Sequence, residues 1–161
     1  MPVMFQDLSE RLGSALKSLG WMLATAESCT AGGLAAAVTL TPGSSQWFER
    51  GFITYSNLSK IEMLGISPEI LKNYGAVSEV TAEAMVLGAL AHSHANIVLS
   101  VTGIAGPDGG APSKPVGTVW FGMGCREGRI EARRRYFAGS REEIRHASVE
   151  YSLRWLLSSL A

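Results

Sequence analysis

Histidine and cysteine are scarce in this chain, which has three of one and two of the other in 161 residues. Two cysteines, Cys29 and Cys125, do not make a disulfide framework, and a reducing cytosol is the simpler setting for them. The histidines offer no Ser-His-Asp set. His92 and His94 fall near the end of one expected helix and His146 inside another, away from any turn that looks chemical. Residues two apart on a helix also point to different faces, which argues against His92 and His94 as a metal pair. No metal and no cofactor is expected. Net charge is missing too: 14 basic residues balance 14 acidic ones. That balance leaves no broad footprint for nucleic acid or an acidic membrane. No apolar run is long enough to span a bilayer. The N-terminal turns carry Gln6, Asp7, Glu10 and Arg11, unlike a signal peptide. These absences describe a soluble cytoplasmic protein.

What is present is apolar. Hydrophobic residues make up 47% of the chain and charged residues 17%. That suits one ordered domain spanning residues 1–161, with a sizeable core. Phe5, Leu8, Leu12, Leu16 and Leu19 recur at helical spacing, with Gly20 as the C-cap. A strand is expected at about 22–26, followed by a turn and a helix over about 32–40. A second strand is expected at 48–55, with Gly51 marking a bulge. Ser56 opens a short helix ending near Gly65, and Ser67-Pro68-Glu69 opens another. Val77 to Thr81 leads into an Ala-rich helix reaching His94. Ile97 to Val101 is a β-branched run suited to a strand buried on both faces. Two further strands, at 118–123 and 130–137, form an expected antiparallel pair. Ser140-Arg141-Glu142-Glu143 is a capping box for the last helix. Strands separated by helices define an α/β fold. The expected form is a three-layer α/β/α sandwich on a mixed, mostly parallel sheet of about five strands.

Four polar turns fall at the ends of expected strands, where an open α/β sheet places its ligand crevice. The first is Glu27-Ser28-Cys29-Thr30, followed by Ala31-Gly32-Gly33. A helix starting there directs N–H groups at whatever sits above Ser28, so the turn suits a nucleophile, an anion, or an ordinary N-cap. The second is Tyr55-Ser56-Asn57 with Lys60, the third Thr102 to Gly110 including Gly103 and Gly106, and the fourth Gly139-Ser140-Arg141. Lys60 is either a solvated surface lysine or a base for Ser28, with burial lowering its pKa. Tyr55 is a core aromatic with its hydroxyl at the rim, or a group that relays a proton or orients Lys60. Cys29 is the rival nucleophile or a small buried thiol. Glu27 positions Lys60 or Thr30, or caps the helix. Arg141 and Arg145, four apart on one helix face, are a clamp for phosphate or carboxylate or a solvated basic face. The Arg133-Arg134-Arg135 run reads as alternating exposed charge.

Together these turns resemble the CinA C-terminal domain family. The matching stretches are Ala26 to Thr30, Gly43-Ser44-Ser45 with Trp47-Phe48, Gly51 to Asn57 with Lys60, Val77-Ser78-Glu79, Thr102 to Gly110, and Lys114 to Val119. They run in order along most of the chain and look closest to the stand-alone members, the nicotinamide-nucleotide amidases. The resemblance implies hydrolysis of the carboxamide of nicotinamide mononucleotide, a step of the pyridine nucleotide cycle, with no cofactor. It carries a Ser-Lys pair over to Ser28 and Lys60, with Tyr55 beside them. Backbone N–H groups from Thr30 to Gly33 would hold the oxyanion. Glu27, Ser44, Ser45, Asn57, Thr102, Gly103, Gly106, Arg141 and Arg145 would line the nucleotide site. Ala31 departs from the pattern, since many members have glycine there. The implied partner is the small-molecule nucleotide, together with a second copy of the chain in a dimer or higher oligomer. Longer members add an N-terminal domain linked to pyrophosphatase activity, which is not expected here. A non-catalytic nucleotide-binding module, or an amidase for another nucleotide amide, is the alternative.

Overall fold

The computed structural model describes residues 2–161. Helix α1 (Val3–Leu19) leads into β1 (Leu23–Glu27) and the short α2 (Gly33–Val38). A 3-10 turn at Ser44–Gln46 precedes β2 (Phe48–Ile53), and three helices follow: α3 (Asn57–Leu64), α4 (Pro68–Tyr74) and α5 (Glu79–Ala91). The chain then forms β3 (Ile97–Gly103), β4 (Thr118–Cys125), β5 (Ile130–Tyr136) and α6 (Arg141–Leu160). The caps are those written in the sequence. Gly20 closes α1 in the left-handed region at φ 67. The hydroxyls of Ser56, Ser67, Ser78 and Ser140 each accept an N–H from the first turn they precede. Glu143 returns the contact to Ser140, completing the capping box.

The sheet runs β2-β1-β3-β4-β5. Strand β1 pairs in parallel with β2 and β3, and the β3–β4 and β4–β5 pairs are antiparallel. Four strands therefore point one way and β4 alone opposes them. This is why the four polar turns, which follow β1, β2, β3 and β5, converge on one edge.

Boundaries shift where a cap or a side chain takes over from the ladder. Strand β1 runs on through Glu27, and β2 ends at Ile53 because the chain bends away toward the Ser56 cap. Helix α5 stops at Ala91, short of His94, and the His92 ring nitrogen Nδ1 lies 2.8 Å from the Gly88 carbonyl. Gly51 does not mark a bulge. The register slips between the Leu23–Phe48 and Ala24–Arg50 pairs, so Glu49 is the extra residue. Gly51 lacks a side chain because a Cβ there would lie 2.8 Å from the Thr25 hydroxyl.

Alternation along the central strands makes two cores. Leu23, Ile97, Leu99, Val101 and Phe121 pack with α1, α2 and α6 on one face. Ala24, Ala26 and Val98 pack with Met85, Val86 and the rest of the α3–α5 layer on the other. This is the three-layer α/β/α sandwich. At the sheet's far edge, the arginines of β5 lie on aromatic rings. Arg133 covers Trp155, Arg135 covers Tyr151, and Arg134 lies over Trp120 and Tyr136. Among the described residues no helix is long and apolar enough to cross a membrane.

Candidate active site

The first residue past β1 is Ser28, and its Oγ accepts a hydrogen bond from Lys60 Nζ at 3.0 Å. Two features of the chain bring them together. The Ser28 N–H donates to the Val101 carbonyl at 2.9 Å, pinning the turn to β3. The Ser56 cap then fixes α3 so that Lys60, in its first turn, points back under the end of β2. There Nζ also donates to the carbonyls of Thr54 at 2.8 Å and Tyr55 at 3.2 Å. Ser28 is only 8% exposed and Lys60 is wholly buried. Lys60 is therefore no surface lysine. Burial pushes its pKa down to about 8, and no acidic side chain bonds it to hold the charge. The same burial pushes the Cys29 thiol up to about 12, which withholds the thiolate a cysteine nucleophile needs.

Glu27 is also wholly buried. Its carboxylate accepts from the hydroxyls of Thr25 at 3.2 Å and Thr30 at 2.6 Å. It accepts as well from the N–H groups of Gly32, Leu34 and Ala35, at 3.1, 2.9 and 2.9 Å. Both oxygens are spent inside the turn, so Glu27 neither lines a ligand site nor touches Lys60. It shapes the Ser28 turn and caps α2. Of the expected oxyanion donors from Thr30 to Gly33, the last three are taken up inside the turn. The Ala31 and Gly33 N–H groups return to the carbonyls of Ser28 and Thr30, and Gly32 serves Glu27. Among the described residues, the N–H groups of Cys29 and Thr30 are the ones in this turn with no acceptor. Ala31 stands in the left-handed region at φ 48, where the absence of glycine is felt as strain. Gly32 takes φ 94 beside it.

The remaining expectations divide. The Tyr55 side chain does not orient Lys60; its backbone carbonyl does. Its hydroxyl instead accepts from Arg141 at 2.8 Å, and Arg141 also donates to the Gly106 carbonyl at 2.8 Å. Arg141 thus ties the turn after β2 to the loop after β3. Arg145 donates to the Thr30 carbonyl at 3.3 Å, two residues beyond Ser28. Thr102 lies at the same edge, but its hydroxyl is bonded to the Ala76 carbonyl at 2.8 Å. Gly103 lets β3 pass close to Val119, and Asn57 is exposed at the start of α3. Ser44 and Ser45 are misplaced. They precede β2, and Trp47 beyond them pairs with Leu23 at the opening of β1, so within one chain they sit at the opposite edge from Ser28. The Thr54 carbonyl, the closest partner of Lys60, went unforeseen because a backbone acceptor leaves no residue-type signal. Among the described residues no cluster of His, Cys, Asp and Glu could hold a metal ion.

Fold and site together define an α/β domain with a buried serine–lysine pair at its strand-end edge. The model of the CinA C-terminal domain matches residues 5–160, and the chain belongs to that family. It is 50% identical over 151 residues to the nicotinamide-nucleotide amidohydrolase PncC of Enterobacter agglomerans, covering 94% of this chain and 92% of that protein. It is 48% identical to the protein of that name from Escherichia coli K12, covering 93% and 91%. The crystal structure of the competence/damage inducible protein CihA from Agrobacterium tumefaciens superposes with a TM-score of 0.94. That protein is 44% identical, with 98% of this chain and 96% of that one covered.

Proposed function

We propose that the protein hydrolyses the carboxamide of nicotinamide mononucleotide, giving nicotinic acid mononucleotide and ammonia through a Ser28–Lys60 pair. One observation carries the chemistry: a lysine with its pKa lowered to about 8 stands 3.0 Å from a nearly buried serine hydroxyl. The amidohydrolase relatives, nearly equal to this chain in length, supply the substrate class. Neutral Lys60 takes the proton from Ser28 Oγ as that oxygen attacks the carboxamide carbon, and the carbonyl electron pair moves onto oxygen. The free N–H groups of Cys29 and Thr30 are suited to receive that oxyanion. Collapse breaks the C–N bond, Lys60 returns its proton to the departing ammonia, and an ester remains on Ser28. Water then attacks the ester, giving its proton to Lys60, which passes it to Ser28 Oγ as the acid leaves. The cationic ring nitrogen of the substrate draws electrons from the amide carbon, so the attack needs no Lewis acid.

The test is ammonia release from nicotinamide mononucleotide by the parent protein and by Ser28→Ala and Lys60→Ala variants. Turnover should fall by roughly a thousandfold or more in each folded variant. Turnover that survives Ser28→Ala would remove the nucleophile. A parent that binds the nucleotide without turning it over would be a binding module.

A further inference from the structure

A cleft of about 500 Å³ lies beside the Ser28 turn, lined by Phe5, Thr30, Arg141, Glu142, Arg145 and His146 among others. The two arginines on it are in opposite states. Both bonds of Arg141 are 2.8 Å long and tie it to Tyr55 and Gly106, so it acts as a strut. Arg145 makes one bond, at 3.3 Å to the Thr30 carbonyl, and its Nε is buried with no partner. Neither arginine has a carboxylate partner, since the ion pairs among the described residues are Arg11–Asp7, Arg50–Glu49 and Arg154–Glu150. A guanidinium has five N–H donors, and leaving one buried without an acceptor is unfavourable. Arg145 is therefore a cation short of acceptors, on the wall of a cleft that begins two residues from the nucleophile.

We infer that this cleft takes the phosphate of the substrate and that Arg145 is the residue that reads it, while Arg141 holds the walls. The inference rests on the nucleotide reading above. A phosphomonoester offers several acceptor oxygens and about two negative charges, matching the fork of an unpaired guanidinium. A modest rotation of Arg145 toward the cleft would give Nε–H the acceptor it lacks. The single carboxylate on the cleft, Glu142, sits at the exposed start of α6 and is outnumbered there by two guanidiniums. Phe5 and His146, edge to face with centroids 6.1 Å apart, form a wall without anionic groups.

The experiment is calorimetric binding of nicotinamide mononucleotide and of nicotinamide riboside, which lacks the phosphate, in a Ser28→Ala background that consumes neither. The nucleotide should bind about thirtyfold more tightly than the riboside, as expected for one charge-assisted contact. Adding Arg145→Ala should bring the two within about threefold, while adding Arg141→Ala weakens both by similar factors. If Arg145→Ala fails to fold, Arg145→Gln keeps an N–H for Thr30 and gives the same comparison. Equal binding of the two ligands, a preference that survives loss of Arg145, or one erased by Arg141→Ala alone overturns the assignment. Ammonia release is read separately on the parent. Its absence, with the preference intact, removes the amidase reading and leaves the cleft standing.

Discussion

If neutral Lys60 is the base, kcat/KM must follow its deprotonation. With a pKa of about 8, about 9% of the free protein carries neutral Lys60 at pH 7, half at pH 8 and about 91% at pH 9. The expected rise is about tenfold from pH 7 to pH 9, with little beyond. The substrate phosphate completes its second ionisation near 6, so this window is free of it. Initial rates of ammonia release at substrate well below KM, in constant ionic strength buffers, give the profile directly. An unperturbed lysine would instead keep climbing past pH 10, and a flat profile would mean that no group of this kind limits the reaction. Either result refutes Lys60 as the base, since burial without a partnering acid must depress the amine.

Three further outcomes follow from neighbouring contacts. Because the folded-state pKa of Lys60 lies below the unfolded value, the unfolded chain binds the extra proton between pH 8 and 10.5, and stability gains from this group as pH rises through that window. In urea titrations, Lys60→Met should reduce that slope by on the order of 2 kcal/mol across the window, and an unchanged slope would contradict the buried amine. Glu27→Gln sets an amide N–H₂ against backbone N–H groups that can only donate, and should cost about 3 kcal/mol of unfolding free energy. A loss under about 0.5 kcal/mol would mean the five-bond network is not holding the turn. Ala31→Gly relieves a left-handed alanine and should raise Tm by about 2 °C, and a lower Tm would refute the strain.

Much of the site could be read from the chain because strand ends and caps are local signals. Ser28 and Lys60 each follow a strand, and the Ser56 and Ser140 caps set where α3 and α6 begin. Whether their turns would meet depended on strand direction, which pairing across the whole sheet decides. Once β5 runs with β1 and β4 against them, the fourth turn joins the others. Glu27 was harder, because a carboxylate at a helix start looks the same whether it faces a ligand or its own backbone. Only the convergence of three N–H groups and two hydroxyls separates the cases. Ser44 and Ser45 shared a motif with site residues but belong to the turn entering β2, at the other edge. Tyr55 shows a related limit: its carbonyl serves Lys60, and side-chain chemistry has no bearing on that.

The arginines lying on rings along β5 bear on how the molecule behaves in a crowd. With 14 basic and 14 acidic residues it has no whole-molecule charge to keep copies apart near neutral pH. Resistance to association then falls to local features, among them the two edge strands, β2 and β5, whose outer hydrogen-bonding groups are unpaired within the sheet. On β5 the guanidiniums alternate between the two faces of the sheet, so an identical strand arriving in the same register would meet like charge on both. That guard against edge-to-edge pairing belongs to one border of the sheet rather than to the surface as a whole.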